Sequence, residues 1–125
     1  MREVTATLGG EEITLAATFK ASEEIADRVA DPLAIAREAA LESMFAQALQ
    51  VYEPKFKFTV RNVPLLLHIG MRAAGDKRTL EQVQALTFDG GFFSARDIAT
   101  DYIAAIVGPT SEEITPSEGD APSGE

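Results

Sequence analysis

The only histidine of the chain, His68, is the first residue to consider for general acid–base chemistry or metal binding. It lies in the apolar run "VPLLLHIGM", where helical spacing aligns four residues on one polar edge: Arg61, Pro64, His68 and Arg72. A neighbouring arginine disfavours the imidazolium, and this edge supplies no carboxylate that would orient the ring as a general base. The pattern therefore predicts an ordinary exposed histidine rather than a catalytic one.

Serines and carboxylates offer no better catalytic candidate. Ser22 and Ser94 stand where helix caps are expected, and Ser43 lies inside a helical pattern without the sharp turn that presents a nucleophilic serine. Two pairs of carboxylates each share a helical face at i, i+4 spacing, which is typical of a solvated surface: Glu38 with Glu42, and Asp97 with Asp101. The double glycines lack the lysine and the spacing of a phosphate-binding loop. The sequence predicts that the protein is not an enzyme and has no catalytic residue, cofactor or metal site.

Charge is spread unevenly along the 125 residues, whose formal net charge is -9. The basic residues cluster in residues 55–78, whereas residues 109–125 hold acids and no base. A chain this acidic is not expected to bind nucleic acid. We expect the basic stretch to meet an acidic or helical surface of a protein partner through seven residues: Lys55, Lys57, Arg61, His68, Arg72, Lys77 and Arg78. The alternative is that these side chains pair with acids of the first two helices of the same chain.

Neither a membrane-spanning segment nor a secretory signal is expected. The longest apolar run is far shorter than the roughly 20 residues that cross a bilayer, and the N-terminus "MREVTATL" carries charge at once. The chain has no cysteine, which excludes disulfides and thiolate metal sites. These features predict a soluble, cytoplasmic protein that does not contact a membrane.

The N-terminal pattern predicts a β-hairpin. Apolar and polar residues alternate on both sides of Gly9-Gly10, which supplies the two positive-φ positions of a tight turn. With that turn, the apolar side chains face each other in pairs: Val4 with Leu15, and Ala6 with Ile13. The alternating stretch "KFKFTVR" at residues 55–61 fits either a third short strand or an extended connection.

Helical patterns fill the middle of the chain. A first helix is expected to begin at Ser22, and Asp31-Pro32 ends it and opens a second that runs to about Val51. Seven residues make the predicted inner face of this second helix, with Glu38, Glu42 and Gln50 facing out: Ala36, Ala40, Leu41, Met44, Phe45, Ala48 and Leu49.

Three further helices have recognisable ends. Asn62 is expected to cap the third helix and Gly75 to end it, and a capping box predicts the start of the fourth at Thr79. Ser94 is expected to open the last helix, whose inward face is Ile98, Tyr102, Ala105 and Ile106, and Gly108-Pro109 stops it. "GGFF" at residues 90–93 fits either an entry into the core or an exposed docking site.

These elements predict an α+β fold: an N-terminal β-hairpin, with room for a third short strand, packed on four to five helices. Residues 1–108 are expected to form a single domain. Residues 109–125, rich in Pro, Ser, Gly and Glu, are expected to be a disordered acidic tail.

Taken in order, these segments resemble the small tail proteins of gene transfer agents and related siphophages. The resemblance covers residues 3–108 and rests on the phenylalanine after the second strand, the helix end "GMRAAG", and the glycine before the last helix. Members of this family are described as tail tube components and as tail assembly chaperones. The resemblance has no catalytic motif to carry over.

The resemblance implies a non-enzymatic helper of phage tail morphogenesis in the cytoplasm of the host cell or at the site of virion assembly. As a tail assembly chaperone, it would bind the tail tape-measure protein and the tail tube protein, either alone or as an oligomer. Two alternatives remain: a structural tail component that assembles on itself, and a small regulatory protein-binding module such as an antitoxin.

Overall fold

A computed structural model describes residues 2–51 and 53–108, which form a two-stranded antiparallel sheet and five helices. In chain order the elements are β1 (Arg2–Leu8), β2 (Glu11–Ala17), α1 (Phe19–Arg28), α2 (Pro32–Gln47), α3 (Asn62–Ala73), α4 (Leu80–Gly90) and α5 (Phe92–Val107). This confirms the predicted α+β class, a hairpin packed on helices. The acidic tail predicted at residues 109–125 lies outside the described residues. Of the helices described, none is both long and apolar enough to cross a bilayer.

The hairpin has the predicted register, with Val4 opposite Leu15 and Ala6 opposite Ile13. Gly9 (φ +59°) and Gly10 (φ +79°) adopt the left-handed conformation that this two-residue turn requires. The apolar side chains of β2 are buried, so one face of the sheet lies on the helices.

The central helix is α3, which contacts β2, α1, α4 and α5. Gly70 brings its backbone close to its neighbours: a Cβ there would lie 2.8 Å from Cδ2 of Leu15 and 2.8 Å from Cζ of Tyr102. The buried hydroxyl of Tyr102 donates a hydrogen bond of 2.8 Å to the carbonyl oxygen of Ala16, and burial raises the pKa of this phenol above its ordinary value. These contacts join α3, α5 and β2 in one core.

Three helix starts differ from the prediction. The hydroxyl of Thr18 caps α1, so Ser22 lies inside the helix. α3 begins at Asn62 without a side-chain cap, and the N–H of Asn62 donates instead to the hydroxyl of Thr59 at 3.0 Å. α5 begins two residues before Ser94. For α1 and α3, the hydroxyl of an upstream threonine accepts a hydrogen bond from an N–H at the start of the helix. For α5, the preceding glycine allows the helix to begin earlier.

Other helix ends are as predicted. Gly75 (φ +93°) ends α3, and the next N–H, that of Asp76, donates to the carbonyl oxygen of Met71 at 2.9 Å. The capping box of Thr79 and Gln82 starts α4. In α5, Ile98 and Tyr102 are buried and α5 ends at Gly108, whereas the predicted inward residues Ala105 and Ile106 are half-buried.

The predicted inner face of α2 is wrong. Its start is as predicted, since Asp31 Oδ1 accepts a hydrogen bond of 2.8 Å from the N–H of Leu33. The buried residues, however, are in its first half: Pro32, Ile35 and Glu38. Met44 is 63% exposed, and the helix ends at Gln47 rather than near Val51. Of the predicted inner face, Ala36, Leu41 and Phe45 are half-buried, whereas Met44 in the second half of α2 is largely exposed.

The segment of residues 53–60 is an extended connection, and the structure has no third strand within residues 2–51 and 53–108. Phe56 and Phe58 pack, half-buried, on the core. The backbone of this segment is held by α2, because Oε1 of Glu38 accepts a hydrogen bond of 2.9 Å from the N–H of Lys55. A buried carboxylate thus takes the place that a strand partner would have.

Candidate functional site

The seven residues predicted to bind a partner fall into two groups at the two ends of α3. Lys55, Lys57 and Arg61 come before the helix, whereas the other four lie on its second half and in the turn after it: His68, Arg72, Lys77 and Arg78. A helix of 12 residues is roughly 18 Å long. The nearest members of the two groups, Arg61 and His68, are about 10 Å apart along the helix axis, so a single partner contact would have to span at least half of α3.

Arg72 is paired with α1. Its guanidinium donates to Glu24, which also accepts a hydrogen bond of 2.8 Å from Arg28 one turn later in α1. The hydrogen bond from Arg72 holds the pKa of Glu24 below its ordinary value and raises the pKa of Arg72. This pair agrees with the alternative in which the basic side chains meet acids of the first two helices.

Arg78 joins the turn after α3 to the hairpin. Its guanidinium contacts Asp76 at 2.6 Å and also pairs with Glu11 of β2. Lys77, between Asp76 and Arg78 in this turn, is exposed and makes no ion pair with any residue that the structure describes. The arginine therefore has a structural role, and the lysine is the residue of this turn that remains open to a partner.

His68 is half-buried, which corrects the prediction of an exposed side chain. Its Nε2 lies 3.1 Å from the carbonyl oxygen of Arg78, so Nε2 carries a hydrogen and donates it to this oxygen. Nδ1 is buried and has no hydrogen-bond partner among the described residues. The residue was misplaced because the turn after α3 folds back over it, which helical spacing alone does not reveal.

The group before α3 is more open. Lys57 pairs with Glu53 at 2.5 Å, and their hydrogen bond lowers the pKa of Glu53 and raises that of Lys57. Lys55 and Arg61 are exposed, and neither forms an ion pair within the described part of the chain. In the chain, Phe58 and Val60 lie between Lys57 and Arg61, and they belong to an apolar surface that the basic pattern does not include.

That surface is formed by the residues around the start of α5, and we name it the aromatic surface: Phe58, Val60, Phe92, Phe93 and Arg96. Phe93 is 77% exposed. The guanidinium of Arg96 lies 5.1 Å from the centre of the Phe93 ring. Of these residues the sequence pointed to the phenylalanine pair, as one of two interpretations. Arg96 was missed because only the first turn of α5 brings it to the same face.

A second uncovered surface is the end of α2, which we define as Met44, Leu49 and Val51. Leu49 and Val51 are 94% and 96% exposed. Leu49 has φ +58° and is the one non-glycine residue with positive φ among those described. The apolar pattern of α2 predicts that Met44 and Leu49 are in the core, whereas the structure leaves both exposed.

The paired carboxylates do not form a site. Glu38 points into the core, whereas Glu42, Asp97 and Asp101 are exposed. Within the described residues, no group of three His, Cys, Asp or Glu residues is arranged to hold a metal ion.

Replacing Glu24 by glutamine tests the Arg72 pair through pH. Because the folded-state pKa of Glu24 is lowered, its carboxylate stabilises the fold above the unfolded-state pKa, and that contribution is lost as pH falls through the folded-state pKa. Both side chains are partly exposed, so we expect a contribution of at most about 1 kcal/mol at neutral pH. Urea unfolding at pH 7 and pH 3 should show a smaller loss of stability in Glu24→Gln than in the wild type. Equal losses would show that the pair contributes nothing.

The sequence landmarks of the tail-protein resemblance have structural roles in this fold. Phe19 opens α1, Gly70 lets α3 approach the sheet, and Gly75 ends α3. Such roles are independent of any partner, so they neither support nor oppose the resemblance. Protein-family models, curated proteins and solved structures were each compared with the chain, and none of them matches it.

Proposed function

We propose that the protein is a non-enzymatic tail assembly chaperone of a phage or gene transfer agent, which binds the tail tape-measure protein and the tail tube protein before they assemble. The proposal starts from the resemblance in the sequence. The observation that carries it further is the exposed apolar end of α2, where Met44, Leu49 and Val51 are uncovered.

The backbone conformation of Leu49 supports a binding role for this exposed end of α2. The N–H of Gln50 donates to the carbonyl oxygen of Phe45 at 2.8 Å, in the helix-ending motif that usually has glycine at the position of Leu49. A leucine in this left-handed conformation costs roughly 1–2 kcal/mol. Since the side chain is 94% exposed, it recovers little of that cost in the monomer. A strained, exposed apolar residue is typical of a site that acts on a partner.

An apolar helix end suits a protein that holds unassembled subunits. Tail proteins that later bury large surfaces against one another expose those surfaces beforehand, and a binder that covers them needs apolar side chains of its own. Met44 is well suited to such a role because its flexible thioether adapts to different contact shapes.

Replacing Leu49 by glycine should separate stability from binding. We expect the free energy of unfolding to rise by roughly 0.5–1 kcal/mol, because glycine relieves the left-handed strain. Capture of the tape-measure and tail tube proteins of the same phage or gene transfer agent should fall about fivefold or more, because a central apolar contact is lost. Urea unfolding and pull-down with purified partners measure the two effects.

The matched control is Leu33→Ala, which removes an exposed leucine from the first turn of α2, away from its end. It should leave capture within about twofold of the wild type. Capture by Leu49→Gly equal to that of the wild type would refute the role of this surface.

A structural tail component is the second candidate, and the same surface supports it, because a second copy could cover Met44 and Leu49. Sizing over a concentration series distinguishes the two. A chaperone should remain a monomer or a small oligomer, whereas a tube subunit should form rings or filaments. We favour the chaperone because the described residues contain a sheet of only two strands, which is little material for a tube wall.

A further inference from the structure

Two grooves meet beside the aromatic surface. The first, of about 420 Å³, runs between α2 and the segment of residues 53–58. The second, of about 140 Å³, runs between residues 58–63 and the start of α5. Phe58 and Arg96 line both, so the two grooves are adjacent at these side chains, and together we call them the depression.

The aromatic side chains of this depression support one another. Phe56 and Phe58 pack edge to face with ring centres 5.2 Å apart, and Phe88 and Phe92 do the same at 6.2 Å. Aromatic residues and arginine are the side chains that dominate binding energy at interfaces, because they bury a large area with few rotatable bonds. The exposed ring of Phe93, beside Arg96, is the natural anchor of such an interface.

The charges around the second groove favour an acidic ligand. Its lining contains Arg96 and no acid, and residues 55–61 contain Lys55, Lys57 and Arg61 and no acid, whereas the first groove is lined by Glu42 and Glu53 as well as by Lys57 and Arg96. Arg96 lies 3.6 Å from Asp97, and Lys57 lies 2.5 Å from Glu53; ion pairs this exposed are weak and open easily to a competing carboxylate. The chain as a whole has a net charge of -9, so an acidic ligand is repelled elsewhere and attracted here.

The walls of the depression favour a helix as the ligand. They are formed by helices α2 and α5 and by an extended segment without sheet pairing. A strand-like ligand needs a free sheet edge beside it, whereas a helix needs an apolar groove for side chains spaced at i, i+3, i+4 and i+7.

We propose that the aromatic surface, with Lys55, Lys57 and Arg61 around it, is a binding site for an acidic amphipathic helix of another protein. Leucine-sized side chains of that helix fill the depression between Phe58 and Phe93, and its carboxylates meet the surrounding cations. This site is distinct from the end of α2 and does not depend on the tail-assembly function. It also replaces the single seven-residue basic stripe by its first group, joined to aromatic residues of α5.

The test uses the full chain and a synthetic helical peptide as the probe. The peptide carries Leu at positions i, i+4, i+7 and i+11 and Glu at most of the others, and a matched peptide has Lys in place of Glu. Fluorescence anisotropy should show that the Glu peptide binds and that its affinity falls with added salt, because part of the attraction is between exposed charges. Phe93→Ala and Arg61→Glu should each weaken it about fivefold.

Two control variants have the same chemistry at other places. Phe19→Ala removes a ring that is 80% exposed on α1, and Lys77→Glu reverses an exposed charge at the far end of α3. Both should bind the Glu peptide within about twofold of the wild type. All four substituted side chains are exposed, so circular dichroism should report an unchanged fold.

Three results would overturn the proposal. The first is no binding of the Glu peptide by the wild type, or binding that Phe93→Ala and Arg61→Glu leave unchanged. The second is equal weakening by Lys77→Glu, which would indicate general attraction of charge. The third is a change of self-association in Phe93→Ala, seen by sedimentation, without a change in peptide affinity; the surface would then belong to a second copy.

Discussion

Replacing Gly70 by alanine is expected to lower the free energy of unfolding by about 2 kcal/mol, although alanine is the better helix former. In an exposed helix the substitution would gain about 1 kcal/mol. Here the new Cβ would lie 2.8 Å from Leu15 and from Tyr102, both of them fully buried. The ring of Tyr102 cannot simply move away, because its hydroxyl is bonded to the carbonyl oxygen of Ala16. Overpacking of this kind costs typically 1–3 kcal/mol, and it should outweigh the gain in propensity.

A control and a double variant make this prediction specific. Gly75→Ala places a Cβ in open space at φ +93° and should cost about 1 kcal/mol through backbone strain alone. Adding Leu15→Ala to Gly70→Ala should give a smaller total loss than the sum of the two single losses, because the truncated leucine makes room for the methyl group. Urea unfolding of the wild type, the three single variants and the double variant measures all these terms. If Gly70→Ala were as stable as the wild type, α3 and β2 would not be in the close contact described.

The hairpin could be predicted from the sequence because its determinants are local. Gly9 and Gly10 admit the turn, and the alternation on either side fixes which side chains face the core. The same holds for the capping box at Thr79 and for the glycine that ends α3. The residues that decide the turn, the cap and the helix end lie within four positions of one another in each case, and the strands they join are adjacent in the chain.

The starts of α1 and α5 were misjudged because two signals competed within a few residues. Thr18 and Ser22 both have hydroxyls able to cap α1, and the upstream one does so. At α5, a glycine with φ +95° ends α4 and starts the next helix at once, so Ser94 is not needed as a cap. Such choices depend on how the preceding element packs, which a local pattern does not contain.

The orientation of α2 could not be predicted because its apolar residues lie on more than one side. The helical periodicity predicts that the face with Met44 and Leu49 is buried, whereas in the structure the face with Ile35 and Glu38 is buried. A buried glutamate makes sense only once the backbone N–H of Lys55, 17 residues away, is seen beside it. The face that is left uncovered is the candidate binding surface. Predicting the wrong buried face of α2 therefore concealed both its packing and this surface.

The candidate sites were partly accessible for the same reason. The cations of residues 55–61 and the Phe92-Phe93 pair were each noted in the sequence, but as separate features 30 residues apart. Only the packing of α5 against residues 58–63 brings them together. Conversely, Arg72 and Arg78 looked available in the sequence and are engaged with Glu24 and Glu11 in the structure.

Replacing Glu38 by alanine should link the fold to the proposed helix-binding site. The carboxylate is 6% exposed, and its Oε1 accepts the hydrogen bond from the N–H of Lys55 that holds residues 53–58 against α2. A hydrogen bond to a charged group contributes about 1.5–3 kcal/mol, so we expect a loss of about 2 kcal/mol in the free energy of unfolding. We also expect faster amide exchange at Lys55 and weaker binding of the Glu peptide, because Phe56 and Phe58 lose their support.

Two further variants separate this effect from a general loss of charge on α2. Glu38→Gln keeps an oxygen that can accept the same hydrogen bond, so it should retain more of the stability and of the protection of the Lys55 amide than Glu38→Ala. Glu42→Ala removes an exposed carboxylate one turn further along and should change stability by no more than about 0.5 kcal/mol. Hydrogen exchange at Lys55 decides the question. An amide equally protected in Glu38→Ala and in the wild type would mean that residues 53–58 are held by their aromatic side chains alone, and peptide binding should then survive the substitution.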